Sequence, residues 1–316
     1  MTRPMLSRLA ELIYWTGRYV ERADDTSRIV DAYIHRIAED PFGDPELACR
    51  SLFAILGMEI DEPVVSESMV LEHLVYDPLN PTAITGSLLA AYENARRARE
   101  VISSEMWVCL NATRNELPAV HRRARRVGTA NYLAYVRERS ALFAGLADAT
   151  ISHDETWWYL LLGRSLERID MSARLLEGRL LAGDDTPDWL TLLRAAGAME
   201  SFLRASVQVA SPEEIASFLL LDRDFPRSAY YSLAVADRCL DELSKVGPTD
   251  RDVNQARLTI RLTQTRLEYM DPSAALRELA EILDLLEQTS ATANDQITER
   301  YFRNVVAINW ASGQGT

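Results

Sequence analysis

Apolar residues return with a helical period along almost the whole chain, and two stretches carry the pattern most completely. On a wheel stepped by about 100° per residue from Arg18, residues Leu9, Leu12, Ile13, Val20, Val30 and Ile34 fall between roughly 120° and 220°. Gly17, Glu21, Asp24 and Arg28 form a narrow stripe beside that arc, between roughly 240° and 300°. The second stretch repeats the arrangement. Tyr159, Leu162, Leu166, Ile169, Leu176 and Leu180 make its apolar arc, and Gly163, Glu167, Asp170 and Arg174 make its stripe. At an offset of 163 − 17 = 146, the two stretches also match Arg18 with Arg164 and Arg22 with Arg168.

The remaining pattern predicts helices and no strand, since no segment alternates apolar and polar residues between turn signals. Helices are expected over residues 6–38, from Pro45 to about Met58, 66–76, 82–115 with Pro118 to Arg126 continuing or kinking it, and 131–148. In the second half Ser152 and Glu155 read as a capping box opening a helix to Leu181, and Ser211 and Glu214 read as another. Further helices follow Thr186-Pro187, run from Phe225-Pro226 to Lys245, and cover 250–269 and 273 to about 310; residues 312–316 read as a disordered tail. The matching extends beyond the paired stretches. Leu74-Val75-Tyr76-Asp77 and Pro81 align with Leu219-Leu220-Leu221-Asp222 and Pro226, and Ser87-Leu88 with Ser232-Leu233. The expected fold is therefore all-α: a compact multi-helix bundle, one domain over 1–316, built from two tandem pseudo-symmetric repeats at about 6–148 and 152–290.

Two readings of the stripes follow. A glycine inside a helix costs about 1 kcal/mol relative to alanine, so its presence at one point of both copies predicts a close approach by another helix or a ligand. Charges bordering a core must be paired, because an unpaired buried charge costs several kcal/mol. The stripes are then either a salt-bridge lattice fixing two helices, or a polar site where the copies face each other. A second polar face lies in 82–115, where Glu93, Arg97, Glu100, Ser104 and Asn111 share one side, with Asn94 and Glu105 nearby. It is either an exposed charge ladder or an addition to the same site.

Composition narrows the functional classes. The 316 residues carry a net charge of −13, which argues against nucleic acid or an anionic membrane as the main partner. Positive charge is almost entirely arginine, with Lys245 the lone lysine, and arginine suits forked pairing with carboxylates. Cys49, Cys109 and Cys239 are too few and scattered for a disulfide framework or a zinc site. With no leader and no membrane-length apolar run, a soluble, cytoplasmic protein is expected. No histidine follows a glutamate at the spacing of a di-iron bundle site, phosphate-loop and nucleophile-elbow motifs are absent, and Cys109 has no evident base partner. No metal and no cofactor are expected.

The segments GRYVERADDTSR, GRSLERIDMSAR, ENARRAREVISSEMWVCLN and FLLLDRDFPRSAYYSL together resemble the bacterial alpha-E domain family, over nearly the whole chain. The glutamate-arginine signature of that family falls on Glu21-Arg22 and Glu167-Arg168. The resemblance implies company with a circularly permuted ATP-grasp protein and a transglutaminase-like protein. The function it implies is that of a helical accessory in an amide-bond-forming or peptide-modifying system, binding the ligase or a peptide substrate through the Glu/Arg cluster of Arg18, Glu21, Arg22, Asp24, Arg28, Arg164, Glu167, Arg168, Asp170 and Arg174. The alternative is an enzyme that uses the same cluster on a carboxylate- or amide-bearing substrate.

Overall fold

A computed structural model of the chain describes residues 5–39, 43–58, 60–181, 189–205, 210–246 and 254–303, and among these every regular element is helical. The first half holds α1 (Ser7–Glu39), α2 (Pro45–Ile55), α3 (Glu67–Val70) running into a π-turn (Leu71–Tyr76), α4 (Ile84–Arg97), α5 (Ser104–Val127) and α6 (Ala130–Thr150). The second holds α7 (Glu155–Leu181), α8 (Trp189–Ala195), α9 (Met199–Ala205), α10 (Pro212–Leu221), α11 (Ala229–Ser244), α12 (Gln255–Glu268) and α13 (Leu279–Ile297).

Local chemistry explains most boundaries. Asp44 accepts from the Glu46 and Leu47 N–H groups with Pro45 in the first turn, and the Ser211–Glu214 capping box forms as its spacing predicts. Helices α2 and α8 end alike. Gly57 and Gly197 adopt φ of 68° and 62°, and the Met58 and Ala198 N–H groups reach back to the carbonyls of Phe53 and Leu193, a left-handed glycine ending.

Three expectations need correction. The helix predicted over 82–115 is two helices: the chain breaks after Arg97, and Ser103 caps a new helix by accepting from the Met106 N–H. Pro118 lies inside α5 without ending it, on an exposed face where an unbonded carbonyl can meet water. The Ser152–Glu155 box does not form. Glu155 already opens α7, Asp154 accepts from the Thr156 N–H, and Glu155 accepts from the Met5 N–H. The last helix starts at Leu279 rather than 273; the predicted tail at 312–316 lies outside the described residues.

Helices α1 and α7 form the centre. They run side by side in the same direction, from the Met5–Glu155 contact near their starts to a crossing where no side chain fits between them. A methyl group on Gly17 would overlap the carbonyl of Leu160, and one on Gly163 would overlap that of Tyr14. Against α1 pack α4, α6 and α8; against α7 pack α11, α13 and α2. Helix α5 rests on α4 and α6, and α12 on α11 and α13. Tyr14, Tyr33, Phe53, Tyr132 and Phe143 are fully enclosed in the resulting core. Among the described residues no helix is long and apolar enough to cross a membrane.

Candidate functional site

The close crossing at Gly17 and Gly163 brings together the charged residues one turn further on. Arg18 Nε donates to Glu167 Oε2 at 2.7 Å, and Arg22 Nη2 donates to the same carboxylate at 3.0 Å. Reciprocally, Arg164 Nε donates to Glu21 Oε2 at 3.0 Å and Arg168 Nε to Glu21 Oε1 at 2.6 Å. Each glutamate of one helix is thus gripped by two arginines of the other. The glutamates are almost sealed, with Glu21 3% and Glu167 0% exposed. Burial opposes their ionisation, but Arg168, Arg227 and Arg164 around Glu21, and Arg18 and Arg22 around Glu167, outweigh it and hold both well below the usual carboxylate range.

The outer members of the stripes form a second ring. Asp24 pairs with Arg28 and Asp170 with Arg174, each at 3.1 Å. The Arg28 guanidinium then packs on Gly197 and that of Arg174 on Gly57, the glycines that end α8 and α2. All ten stripe residues are therefore paired, in a lattice of three separate sets: Arg18 and Arg22 on Glu167, Arg164 and Arg168 on Glu21 with Asp24 and Arg28 beyond, and Asp170 with Arg174. Asn94, Arg97 and Glu105 do not join it. Arg97 and Glu105 are exposed, Asn94 is half-buried, and none of the three is bonded to the Glu21 or Glu167 pairs. That face of the α4–α5 hairpin instead carries local contacts, such as the Glu93–Arg96 pair and Arg99 over Trp107.

Three participants escaped the pattern reading. Arg227, from the turn before α11, inserts its guanidinium among Glu21, Asp24 and Asp25. Asn294 of α13 accepts from the Tyr14 hydroxyl at 2.8 Å and from Arg18 at 3.0 Å. Asp25 is buried, and burial, reinforced by Glu21 and Asp24, pushes its carboxyl up to about 7 despite Arg227. Asp25 aligns with Met171 at the offset of 146, and Arg227 aligns with Thr82 at the offset of 145 carried by the match of Pro81 with Pro226, so comparing the two stretches could not reveal them. The available signal was local: Arg227 sits inside FLLLDRDFPRSAYYSL.

The chemistry open to this lattice is limited. One carboxylate oxygen each from Glu21, Asp24 and Asp25 lies within 4.8 Å of the others, but Arg227 already stands where a cation would. Asp24 Oδ1 and Asp25 Oδ2 lack hydrogen-bond partners. A cleft beside Asp25, lined also by Arg168, Ser172 and Arg227, has a volume of about 20 Å³, room for roughly one water. Cys109 is buried and its thiol is raised by burial, unlike an activated nucleophile.

An all-α protein whose two central helices are locked by reciprocal glutamate–arginine pairs is the class that fold and site define. The chain belongs to the Alpha-E family, described as a predicted alpha-helical domain with a conserved ER motif, which matches residues 5–302. It is also similar to uncharacterised proteins of Mycobacterium bovis and Mycobacterium tuberculosis, at 22% identity over 318 aligned positions. The alignment covers 91% of this chain and 36% of each relative, so the chain spans about a third of the length of the curated relatives it matches. No solved structure matches it.

Proposed function

We propose that this protein is a non-catalytic helical accessory in an ATP-grasp-linked, amide-bond-forming or peptide-modifying system, and that it holds the ligase or its substrate on its outer surface. The duplicated Glu/Arg cluster then acts as an internal frame, not as the contact surface. The observation that carries this reading is the saturation of Glu21 and Glu167: each is enclosed and already held by two arginines. A substrate would have to displace buried ion pairs, and removing one partner of such a pair costs about 3–5 kcal/mol. The cleft lined by Asp25, Arg168 and Arg227 is water-sized, far below the roughly 300 Å³ of ordinary ligand sites. The accessory role is also in keeping with relatives in which the matched region is about a third of a longer chain, and with the resemblance on which the ATP-grasp partner rests. The reciprocal pairs further support an origin by internal duplication.

Co-purification of the full chain with the circularly permuted ATP-grasp protein from the same genome tests the proposal. A stoichiometric complex is expected, and Glu21→Gln should lower the melting temperature while folded protein still binds. Turnover of an amide-bearing substrate by the isolated chain, abolished in a Glu21→Gln variant of unchanged stability, would overturn it.

A further inference from the structure

Two larger clefts lie away from Glu21 and Glu167, on either side of Asp31 and His35, which line both, and one of them reaches back to Arg28. One has a volume of about 460 Å³ and follows α1 from Arg28 to Glu39 between α6, α8 and α9. The other, of about 580 Å³, is bounded by α1, the π-turn, and the junction of α5 with α6. Both have ligand-site dimensions. Each is lined in part by apolar residues: Ala32 and Met199 in the first, Ile34, Leu71 and Leu133 in the second.

Their rims are neither acidic nor basic. Ion pairs between separate elements cross them: Asp31 with Arg137 at 3.0 Å, Glu39 with Arg194 at 3.3 Å, and Glu72 with Arg125 at 2.9 Å. Over both clefts, five arginines are set against five carboxylates among the described residues. A ligand of a single charge sign would therefore meet as much repulsion as attraction. Each pair nevertheless offers free hydrogen-bonding capacity of both kinds, since a guanidinium has five N–H donors and a carboxylate about four acceptor positions. The walls are also reachable from solvent, with the Arg194 and Glu39 side chains 48% and 64% exposed.

The first cleft has a definite length. Arg28 to Glu39 spans 39 − 28 = 11 residues of α1, about 16 Å of helix, which an extended chain covers in about five residues. We infer that this first cleft forms a docking trough for an extended peptide segment of about five residues that carries both acidic and basic side chains. Its apolar side chains lie against Ala32 and Met199 and its charges interleave with the rim pairs. This rests on the non-catalytic binding role proposed above, and gives that role a surface.

An array of pentapeptides with acidic, basic, mixed-charge and neutral sequences, probed with the full chain, tests the inference. Wild type should be held at least tenfold more strongly by mixed-charge peptides than by those of one sign. The double substitution Asp31→Arg with Arg137→Asp keeps an ion pair across the cleft with its polarity turned round. It should move the preference to peptides of reversed charge order, with circular dichroism confirming the fold. Arg194→Glu, at a half-exposed position, sets two carboxylates on that rim and should move the preference towards basic peptides, which keeps the test open if the double variant does not fold. Retention of no peptide, preference for single-sign or neutral peptides, or unchanged preference in the folded variants overturns the inference. The array contains no ligase, so loss of ligase capture with peptide binding intact would count against the functional proposal alone.

Discussion

At the scale of single residues, the balance of charge around each carboxylate decides what it does. Glu167 is enclosed against the Arg18 and Arg22 guanidiniums, so its charge is useful only while both partners are present. Replacing it by glutamine leaves Arg18 and Arg22 facing a neutral amide, and about 3–5 kcal/mol of stability should be lost, measurable by urea unfolding. Asp25 behaves in the opposite sense. Its folded-state pKa is raised to about 7, against roughly 3.9 for an exposed aspartate, so the folded protein holds that proton more tightly. Its contribution is complete below about pH 4 and is lost as the pH rises towards 7. Glu21 and Glu167, with depressed values, contribute above about pH 4.3 and lose that contribution as the pH falls. The stability of the wild type relative to Asp25→Asn should therefore decline between pH 4 and 7.5 in thermal melts. A constant difference would show that Asp25 stays ionised against Arg227.

At the scale of helices, the geometry of one crossing governs the arrangement. Alanine in place of glycine normally favours a helix by about 1 kcal/mol, but at Gly17 or Gly163 the added methyl meets a carbonyl of the opposite backbone, which no rotamer change can move aside. Overpacking of this kind costs about 1–3 kcal/mol or more, so Gly17→Ala should destabilise the protein by about 2 kcal/mol net. Gly145, inside α6 with open space around it, provides the contrast: Gly145→Ala should stabilise by about 0.5–1 kcal/mol. Denaturant midpoints of the two variants should move in opposite directions. The crossing was legible in the sequence because an expensive residue was placed twice at the same point of a charged stripe. The wheel was less informative for Arg18, which it sets away from the apolar arc, yet which is 6% exposed because α7 crosses on that side. The break between α4 and α5 was hidden by good helix formers, Ala95 to Glu100; its one local mark was Ser103, a residue that reads equally well as part of a polar face. Arg227 and Asn294 were invisible for a different reason. They reach the lattice from 206 and 276 residues beyond Glu21 and Arg18 (227 − 21 and 294 − 18), and periodicity carries no information over that distance.

For the whole molecule, reciprocity makes the two halves dependent on each other. Helix α2 from the first half packs on α7, and α8 from the second packs on α1, so neither half contains its own complete core. A fragment ending near Thr150 would keep Glu21, Asp24 and Asp25 while losing Arg164, Arg168 and Arg227, and would leave the inner side of α1 uncovered. Such a fragment should show no cooperative thermal transition by circular dichroism, and mixing it with the complementary fragment should restore one.

The same interdependence has a consequence on the ribosome. Helix α1 emerges well before the helix it must lie against, which begins at Glu155. At roughly 5–20 residues per second of synthesis, the offset of 163 − 17 = 146 residues leaves α1 waiting about 7–30 s for its counterpart. Throughout that interval the nascent chain exposes an apolar arc and unmatched carboxylates, which makes it a natural client for chaperones until the second half arrives.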